Sequence, residues 1–316
     1  MRVLAEPLAR HPNVYRMAAP FEDDGLVNCY LIDAPSRALI DTGTSSVPGR
    51  VLLPALRELG WDPSDLRVII NTHMHIDHAG GNAEMQEVSG AGIHMHRADY
   101  ALADREAHLE KYCRADLRLL GQDADIPQRE AFMLQLLGRE WGIERALDDM
   151  DEIDLGNDIR LTAIHTPGHT PGSTSFFWEQ AGLLFSGDAV GGRGSRPNGF
   201  PLYYSATDYA DSIRRLLDLP IRTLAQAHRY RWSRPTAEPV RSGPDVQQTL
   251  EEALAVWQAI DSAVHEVVAR QPGIAFPDLY RQVVRKVAPA LDNDPDAEGV
   301  LPGSVATIAA HRASEA

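Results

Sequence analysis

Short apolar runs separated by turn residues dominate the first part of the chain. Residues 26–32 and 37–40 are mostly apolar, and the proline-containing segment 34–36 between them predicts a hairpin turn. Residues 49–59 instead carry apolar side chains at helical spacing, and Gly60 predicts the end of that helix. The pattern therefore predicts strands and helices that follow one another within one layered α/β unit.

The same pattern continues to about residue 240. It predicts further strands and two further helices, the strands at 66–71, 92–96, 159–164, 174–178 and 182–185, and the helices at 81–88 and 207–217. Residues 235–245 are rich in proline and glycine, which is typical of a loop. We therefore predict a first domain over 1–240 and a helical region over 245–316.

Residues 97–150 break this alternation. They are rich in Ala, Leu, Glu, Arg and Gln and predict two or three helices, which is long for a connection in a compact domain. One interpretation is a surface elaboration, and the other is a helical lid, which we favour because loops at one edge of layered folds shape substrate access. The apolar side chains that could wall a pocket there are Phe132, Leu134, Leu136, Leu137 and Trp141.

The last part of the chain predicts three helices, at 246–269, 276–287 and 304–313. Asp245 stands directly before the first of them and is a candidate cap. The basic residues in this part are few, with Arg281, Arg285 and Lys286 as the main cluster. We interpret the region as an element for packing, for dimer formation or for closing a substrate pocket.

Four residues of the type that bind metals lie within six positions after the apolar run 66–71. They are His73, His75, Asp77 and His78. Buried imidazoles and carboxylates need partners, so such a cluster would be costly without a cation. Histidine nitrogens with carboxylate oxygens suit zinc, iron(II) or manganese better than calcium. The segment therefore predicts a metal site.

Four more polar residues follow apolar runs elsewhere: Asp41, His169, Asp188 and His228. Each has an ordinary explanation, since an Asp at a strand end often caps a turn and a single His often makes only hydrogen bonds. The repetition of this position, at the end of an apolar run and next to a loop, favours a shared site. His94, His96 and His165 have similar positions, and we interpret them as hydrogen-bonding neighbours, with contact to substrate as the alternative.

Taken together, His-x-His-x-Asp-His at 73–78, Gly168-His169 in a Pro-Gly turn, Ser186-Gly187-Asp188 and the late His228 resemble the metallo-β-lactamase superfamily over roughly 10–235. The resemblance implies an αββα sandwich with metals at one edge. It implies one metal held by His73, His75 and His169, and a second held by Asp77, His78 and His228. Asp188 would bridge the two, and Asp41 would support the ligands without binding a metal.

One difference from the family's namesake enzymes argues against β-lactamase activity. The zinc β-lactamases lack an Asp at the bridging position and are exported, whereas Asp188 is present here and 1–7 contains no continuous apolar segment. The two cysteines, Cys29 and Cys113, cannot form a disulfide framework, so we expect a reducing, cytoplasmic location. We expect no membrane span, because no apolar stretch approaches twenty residues.

The resemblance implies two divalent cations, and we expect zinc, with iron or manganese as alternatives. Such a pair of cations implies a hydrolase that uses a metal-bridging hydroxide. Asp77 would carry a proton to the leaving group. We predict an ester-type substrate, a thioester or a lactone, with small acyl compounds as partners. The alternatives are a phosphodiesterase or ribonuclease and a mononuclear iron enzyme of the persulfide dioxygenase kind. The net charge of −15 argues against a nucleic acid partner. The sequence does not decide whether the chain forms a homo-oligomer.

Four residues beyond Asp188 are candidate substrate contacts. Arg193 and Arg196 lie in a glycine-rich loop that lacks the spacing of a nucleotide-binding loop, and they could meet an anionic group. Tyr203 and Tyr204 follow, at a place where related hydrolases often put a phenol near the metals. The C-terminal region resembles the helical, winged-helix-like region of one branch, which contains polyketide-pathway thioesterases and a lactamase-like ribonuclease.

Overall fold

The computed structural model describes residues 4–21, 25–233, 238–297, 299–301 and 303–313. Two mixed β-sheets lie face to face, and helices cover the outer face of each. This is the predicted αββα sandwich. The N-terminal segment 1–3 and Pro235, which entered the sequence-based predictions, lie outside the described residues.

The first sheet has seven strands in chain order. They are β1 Glu6–Leu8, β2 His11–Phe21, β3 Gly25–Ile32, β4 Arg37–Ile40, β5 Leu66–Ile70, β6 Gly92–His96 and β7 Arg145–Leu147. Strands β1 to β4 pair antiparallel, and β4 to β7 pair parallel. The carboxyl ends of the parallel strands therefore meet at one edge of the sheet.

The second sheet has six strands in the order β13-β12-β11-β10-β9-β8. They are β8 Glu152–Gly156, β9 Ile159–His165, β10 Thr174–Trp178, β11 Leu183–Gly187, β12 Thr223–Gln226 and β13 Val240–Ser242. Only β11 and β12 pair parallel. A peptide N–H of the first sheet, that of Asn28, donates to Ala227 of the second at 2.7 Å, which joins the sheets where β12 ends.

Alternation along the strands divides the core into layers. Ile32, Ile40 and Ile70 of the first sheet meet Phe176 and Phe185 of the second between the sheets. Their chain neighbours point the other way and pack under the outer helices. Both faces of these strands are buried, which explains why the sequence reads as continuous apolar runs.

Ten α-helices are described. They are α1 Leu53–Glu58, α2 Ile76–Ala79, α3 Asn82–Ser89, α4 Arg105–Leu109, α5 Ala115–Leu119, α6 Ile126–Leu137, α7 Ala206–Leu217, α8 Pro244–Arg270, α9 Phe276–Leu291 and α10 Ser304–Ala313. Helix α1 continues a π-helical turn, Pro48–Leu52. None of the helices in the described part of the chain is long and apolar enough to cross a membrane.

The helical insertion is shorter than the predicted 97–150. Its helical part ends at Leu137, and Arg145–Leu147 returns to the first sheet as β7. Its apolar face, including Leu109, Tyr112 and Met133, packs against Met74 and Ile76 of the segment that carries the predicted ligands. The insertion is therefore built onto that segment.

The C-terminal region contains the three predicted helices, but the predicted cap of the first is wrong. Helix α8 begins at Pro244 after Gly243, so Asp245 lies inside its first turn and is not its cap. The described residues from 244 to 313 contain no strand, so they show no wing of a winged helix. These helices have their own apolar core, around Ile260, Val283 and Ile308.

Candidate metal centre

All seven predicted ligands lie at the edge where the parallel strands end. They occupy the segment after β5 (His73, His75, Asp77, His78), the β9–β10 turn (His169), and the ends of β11 (Asp188) and β12 (His228). Each side chain is at least nine-tenths buried. The topology thus brings together residues that lie up to 155 positions apart in the sequence.

The first group consists of His73, His75 and His169. One potential ligand atom from each lies within 4.8 Å of the others. The Nε2 atoms of His73 and His169 are 3.0 Å apart. The Nε2 atom of His75 is buried and has no hydrogen-bond partner among the described residues.

The second group consists of Asp77, His78 and His228, which also satisfy the 4.8 Å limit. Asp77 Oδ2 lies 3.1 Å from His228 Nε2 and 3.7 Å from His78 Nε2. The two groups therefore have separate members, and the first is all imidazole while the second includes a carboxylate.

Asp188 lies between the two groups. Its Oδ2 atom is 3.4 Å from His169 Nε2 of the first group and 3.4 Å from His228 Nε2 of the second. Its Oδ1 atom is 3.6 Å from His78 Nε2. This carboxylate is the feature that connects the two groups.

Hydrogen bonds at Nδ1 orient the histidines. His78 Nδ1 donates to Asp41 Oδ2 at 2.8 Å, His169 Nδ1 donates to the Leu202 carbonyl at 2.6 Å, and His228 Nδ1 donates to the Leu26 carbonyl at 2.8 Å. A carbonyl or carboxylate can only accept, so in each case Nδ1 carries the proton.

His73 is oriented through Thr72. The Thr72 hydroxyl donates to Asp41 Oδ2 at 2.8 Å, so its oxygen is left to accept from His73 Nδ1 at 3.0 Å. Asp41 therefore supports two histidines, one directly and one through Thr72. It does so from a left-handed backbone conformation, φ +57°, which is uncommon for a residue with a side chain and is typical of functional sites.

In their neutral forms these four histidines direct Nε2 lone pairs into one space. Two lone pairs 3.0 Å apart, on His73 and His169, repel each other unless a cation or a proton lies between them. The buried Asp188 Oδ1 also has no hydrogen-bond partner among the described residues. This donor set, imidazole nitrogens with carboxylate oxygens, fits divalent zinc, iron or manganese.

The electrostatics of the two groups differ. Burial, together with the neighbouring imidazoles, holds the pKa of His73 and His75 well below the usual value, which keeps them neutral. Burial also lowers the pKa of His228, but Asp188 and Asp77 outweigh it and raise the pKa to about 10. The second group is therefore the more negative of the two and is the stronger attractor of positive charge.

Two contributors were missed from sequence. Asp99 is fully buried and accepts from Met74 N at 2.8 Å, Thr170 Oγ1 at 2.7 Å and Gly172 N at 2.6 Å. It thereby joins the loop that carries His73 to the turn that carries His169. It lies three residues after the end of β6, as His73 lies three residues after the end of β5, and this signal would have identified it.

The second is Tyr230, two residues after His228. Its ring lies 5.7 Å from that of His228, and it lines the same cleft as Asp188. Burial, followed by the charge of Asp188, raises the pKa of the Tyr230 phenol, so the phenol stays neutral. No spacing rule pointed to this residue, because Asp188 is distant in sequence.

A cleft of about 540 Å³ opens over the centre. Its lining includes ligands from both groups together with side chains of the insertion and the C-terminal region, namely Tyr112, Cys113, Leu117, Leu120, Met133, Val300, Leu301 and Val305. A larger groove of about 780 Å³ adjoins it beside α9 but contains none of the ligands. The insertion therefore forms part of the wall of the cleft over the centre.

The apolar residues expected to wall this cleft were the wrong ones. Leu134 is exposed, and Leu137 is buried in the core between the insertion and the ligand segment. Met133 is the residue of α6 whose apolar side chain reaches the cleft. Helical periodicity identified the apolar helix but not which side of it faces the centre.

The four candidate substrate contacts divide into two pairs. Tyr204 and Arg196 line the cleft, and the ring of Tyr204 lies 6.2 Å from that of His75. Tyr203 does not line the cleft, because it is fully buried and bonds to His311. Arg193 does not line it either, because its Nε lies 3.1 Å from Glu252 Oε1 of α8.

His94, His96 and His165 stay outside the cleft lining, whereas His108 of the insertion belongs to it. His96 and His165 stack with ring centroids 4.0 Å apart and planes 9° from parallel. His94 Nε2 lies 3.7 Å from Glu144 Oε1. His165 Nε2 donates to the Pro171 carbonyl at 2.8 Å, and His96 Nδ1 accepts from Ala98 N at 3.2 Å, so these two make the expected hydrogen bonds.

A model of the metallo-beta-lactamase superfamily matches residues 23–228 of the sequence. The chain belongs to the metallo-beta-lactamase superfamily. It is 30% identical over 216 residues to acyl-coenzyme A thioesterase MBLAC2 of Gallus gallus, covering 65% of this chain and 72% of that protein. It is 25% identical over 207 residues to the hydroxyacylglutathione hydrolase of a Chelativorans strain, covering 63% of this chain and 57% of that enzyme.

Members of the superfamily with solved structures share the fold. A metallo-beta-lactamase family protein from Thermus thermophilus superposes with a TM-score of 0.70 at 24% identity, covering 96% of this chain and 93% of that one. A beta-lactamase domain protein from Burkholderia ambifaria superposes with a TM-score of 0.68 at 18% identity, covering 96% and 87%. Both alignments include most of the C-terminal helical region.

Proposed function

We propose that the chain is a dinuclear metal-dependent hydrolase of acyl thioesters. The observation that carries this proposal is the convergence of four imidazole Nε2 atoms with Asp77 and Asp188 at 3.0–3.7 Å. The relatives support the bond type, because the names of both the thioesterase and the hydroxyacylglutathione hydrolase describe acyl groups carried on a thiol.

The ligand assignment follows the two groups. His73, His75 and His169 would hold one cation, and Asp77, His78 and His228 would hold the other. Asp188 would serve both, because its Oδ2 atom is equally far from a histidine of each group. Zinc is the first expectation, with iron and manganese as alternatives.

The chemistry that such cations supply when bound is activation of water near neutral pH and polarisation of the scissile carbonyl. Asp77 would take the proton released by the water and give it to the departing thiolate. Burial raises the pKa of Asp77, but His78 and His228 outweigh burial and lower it, so this carboxylate is unprotonated before the water releases its proton. Asp41 and Thr72 keep His78 and His73 in orientation throughout.

The cleft supports an acyl substrate. The insertion contributes Leu117, Leu120 and Met133 to its lining, and the C-terminal region contributes Leu301 and Val305. Such walls bury an apolar chain and exclude water from the reacting bond. Arg196 and Tyr204 would supply polar contacts near the same centre.

A lactone is the alternative ester-type substrate, because the same residues would open a cyclic ester. The site supports a phosphodiester less well. Phosphate backbones are bound by clustered Lys and Arg, whereas the cleft lining includes the acidic Asp116 as well as Arg129 and Arg196. A mononuclear iron enzyme needs fewer ligands than the two complete groups present here.

The test compares zinc-loaded protein on acyl thioesters, lactones and single-stranded RNA. We expect thioester hydrolysis that chelation abolishes and zinc restores, and little or no RNA cleavage. Asp188→Ala should lose this activity, while Asp211→Ala, an exposed carboxylate on α7, should keep it. Metal-dependent RNA cleavage with inert thioesters and lactones would overturn the proposed substrate class.

A further inference from the structure

The carbonyl that orients His169 belongs to a segment held by the C-terminal helices. Leu202 O accepts from His169 Nδ1 at 2.6 Å, and this is the bond that fixes the ring of the ligand. Leu202 has Pro201 before it and Tyr203 after it, and both of these residues bond to α10. The position of the carbonyl therefore depends on how firmly that helix holds the 201–204 segment.

The first attachment is a chain of three side chains, of which the first two are buried and Asp261 is partly exposed. Tyr203 Oη lies 2.7 Å from His311 Nε2, and His311 Nδ1 lies 3.0 Å from Asp261 Oδ1 on α8. The Asp261 carboxylate accepts, so Nδ1 of His311 carries the proton and Nε2 accepts from the Tyr203 hydroxyl. Tyr203 and His311 are fully buried, so neither exchanges these partners for water.

The second attachment is Thr307, one turn earlier on α10. Its hydroxyl donates to the Pro201 carbonyl, and it accepts from Tyr203 N at 3.4 Å. The segment is also tied to the ligand turn itself, because Tyr204 N donates to Gly168 O at 2.7 Å. Residues 201–204 are thus fixed on one side by α10 and on the other by the turn that carries His169.

We propose that His311 and Thr307 are positioning residues for the metal centre, acting on His169 through the Leu202 carbonyl. The inference rests on the proposed function, because it needs His169 to be a metal ligand. It gives the C-terminal helices a role at the first group of ligands, beyond lining the cleft. Orientation of a ligand ring by the bond at its other nitrogen commonly changes metal affinity about 10–100-fold.

Two conservative variants test this role. Tyr203→Phe removes one hydroxyl and keeps the ring that stacks on Tyr209 at 4.2 Å. Thr307→Val removes both bonds of Thr307 at nearly constant volume. The matched control is Ile308→Ala, which alters the neighbouring buried residue of α10 in the apolar core of the C-terminal helices and makes no bond to the 201–204 segment.

The readouts are cobalt content in competition with a chelator and the proton spectrum of the cobalt-loaded protein. The exchangeable Nδ1–H of a cobalt-bound histidine gives a paramagnetically shifted resonance, and that of His169 is identified by its loss in His169→Gln. We expect both test variants to lower the affinity for one of the two cobalt ions about 10-fold. We also expect them to shift the His169 resonance or to speed its exchange with water. Ile308→Ala should lower the melting temperature and leave both readouts as in the wild type.

The outcomes separate this inference from the proposed function. The inference alone would be overturned if Tyr203→Phe and Thr307→Val retained both ions as the wild type does and left the His169 resonance unchanged. A wild-type protein that binds no cobalt through His169 would overturn the metal assignment and the inference with it. Equal loss of cobalt in Ile308→Ala would also overturn the inference, because general destabilisation would then explain the effect.

Discussion

Asp99 offers the sharpest test of how the ligand loops are held together. Its carboxylate accepts three hydrogen bonds in a fully buried place, from Met74 N, Gly172 N and Thr170 Oγ1. Asp99→Asn keeps the shape but replaces one acceptor oxygen with an NH₂ group. At least one buried donor then faces another donor.

The expected cost follows from these contacts. Loss of a hydrogen bond to a charged group costs about 1.5–3 kcal/mol, and a buried donor without a partner costs about 1–3 kcal/mol. Because the two effects overlap, we expect the free energy of unfolding to fall by about 3 kcal/mol in total. Unfolding entropy of about 2.1 cal/mol/K per residue gives about 0.66 kcal/mol/K for this chain, so the melting temperature should fall by about 5 °C.

The same substitution should loosen the first group of ligands. Met74 lies between His73 and His75, and Thr170 follows His169, so all three ligands are adjacent to an Asp99 contact. Calorimetry and metal analysis after dialysis against a weak chelator measure the two effects. Asp123→Asn, an exposed position in the insertion, is the control and should change neither. Wild-type melting and wild-type metal content in Asp99→Asn would refute the reasoning.

Three further predictions concern the centre and the lid. Asp188→Ala should release at least one metal ion and abolish most turnover, because it removes the carboxylate that both groups share; elemental analysis and rate assays check this. Asp41→Ala should lower metal affinity or activity about 10–100-fold, less than Asp188→Ala, and equal effects would contradict the assigned roles. Leu117→Trp should raise KM for long acyl chains more than for short ones at unchanged metal content, because Leu117 lines the cleft; equal KM changes would argue against the lid.

Local patterns predicted most of the strands and helices, and the motifs that resemble the superfamily implied the fold and the candidate ligands. The apolar runs that became β4, β5 and β11 are buried on both faces, and each ends at a polar residue of the site. The predicted αββα sandwich and the superfamily are confirmed. The metal assignments stay predictions, and the structure supplies their geometry.

The errors arose where long-range packing decides the outcome. Tyr203 and Tyr204 are adjacent, yet one bonds to α10 and the other lines the cleft, and no local pattern distinguishes them. Arg193 pairs with Glu252, which lies 59 residues later, so its exposure could not be judged from its glycine-rich loop. Strand β7 was hidden because three residues are too few to show periodicity.

Zinc titration of the chelated protein, with acyl thioester hydrolysis measured at each addition, tests the central claim most directly. We predict that activity is absent without metal, rises with added zinc and reaches its maximum at about two equivalents per chain, as two complete ligand groups sharing Asp188 require. Maximal turnover at one equivalent, or hydrolysis that does not depend on metal, would contradict the dinuclear hydrolase.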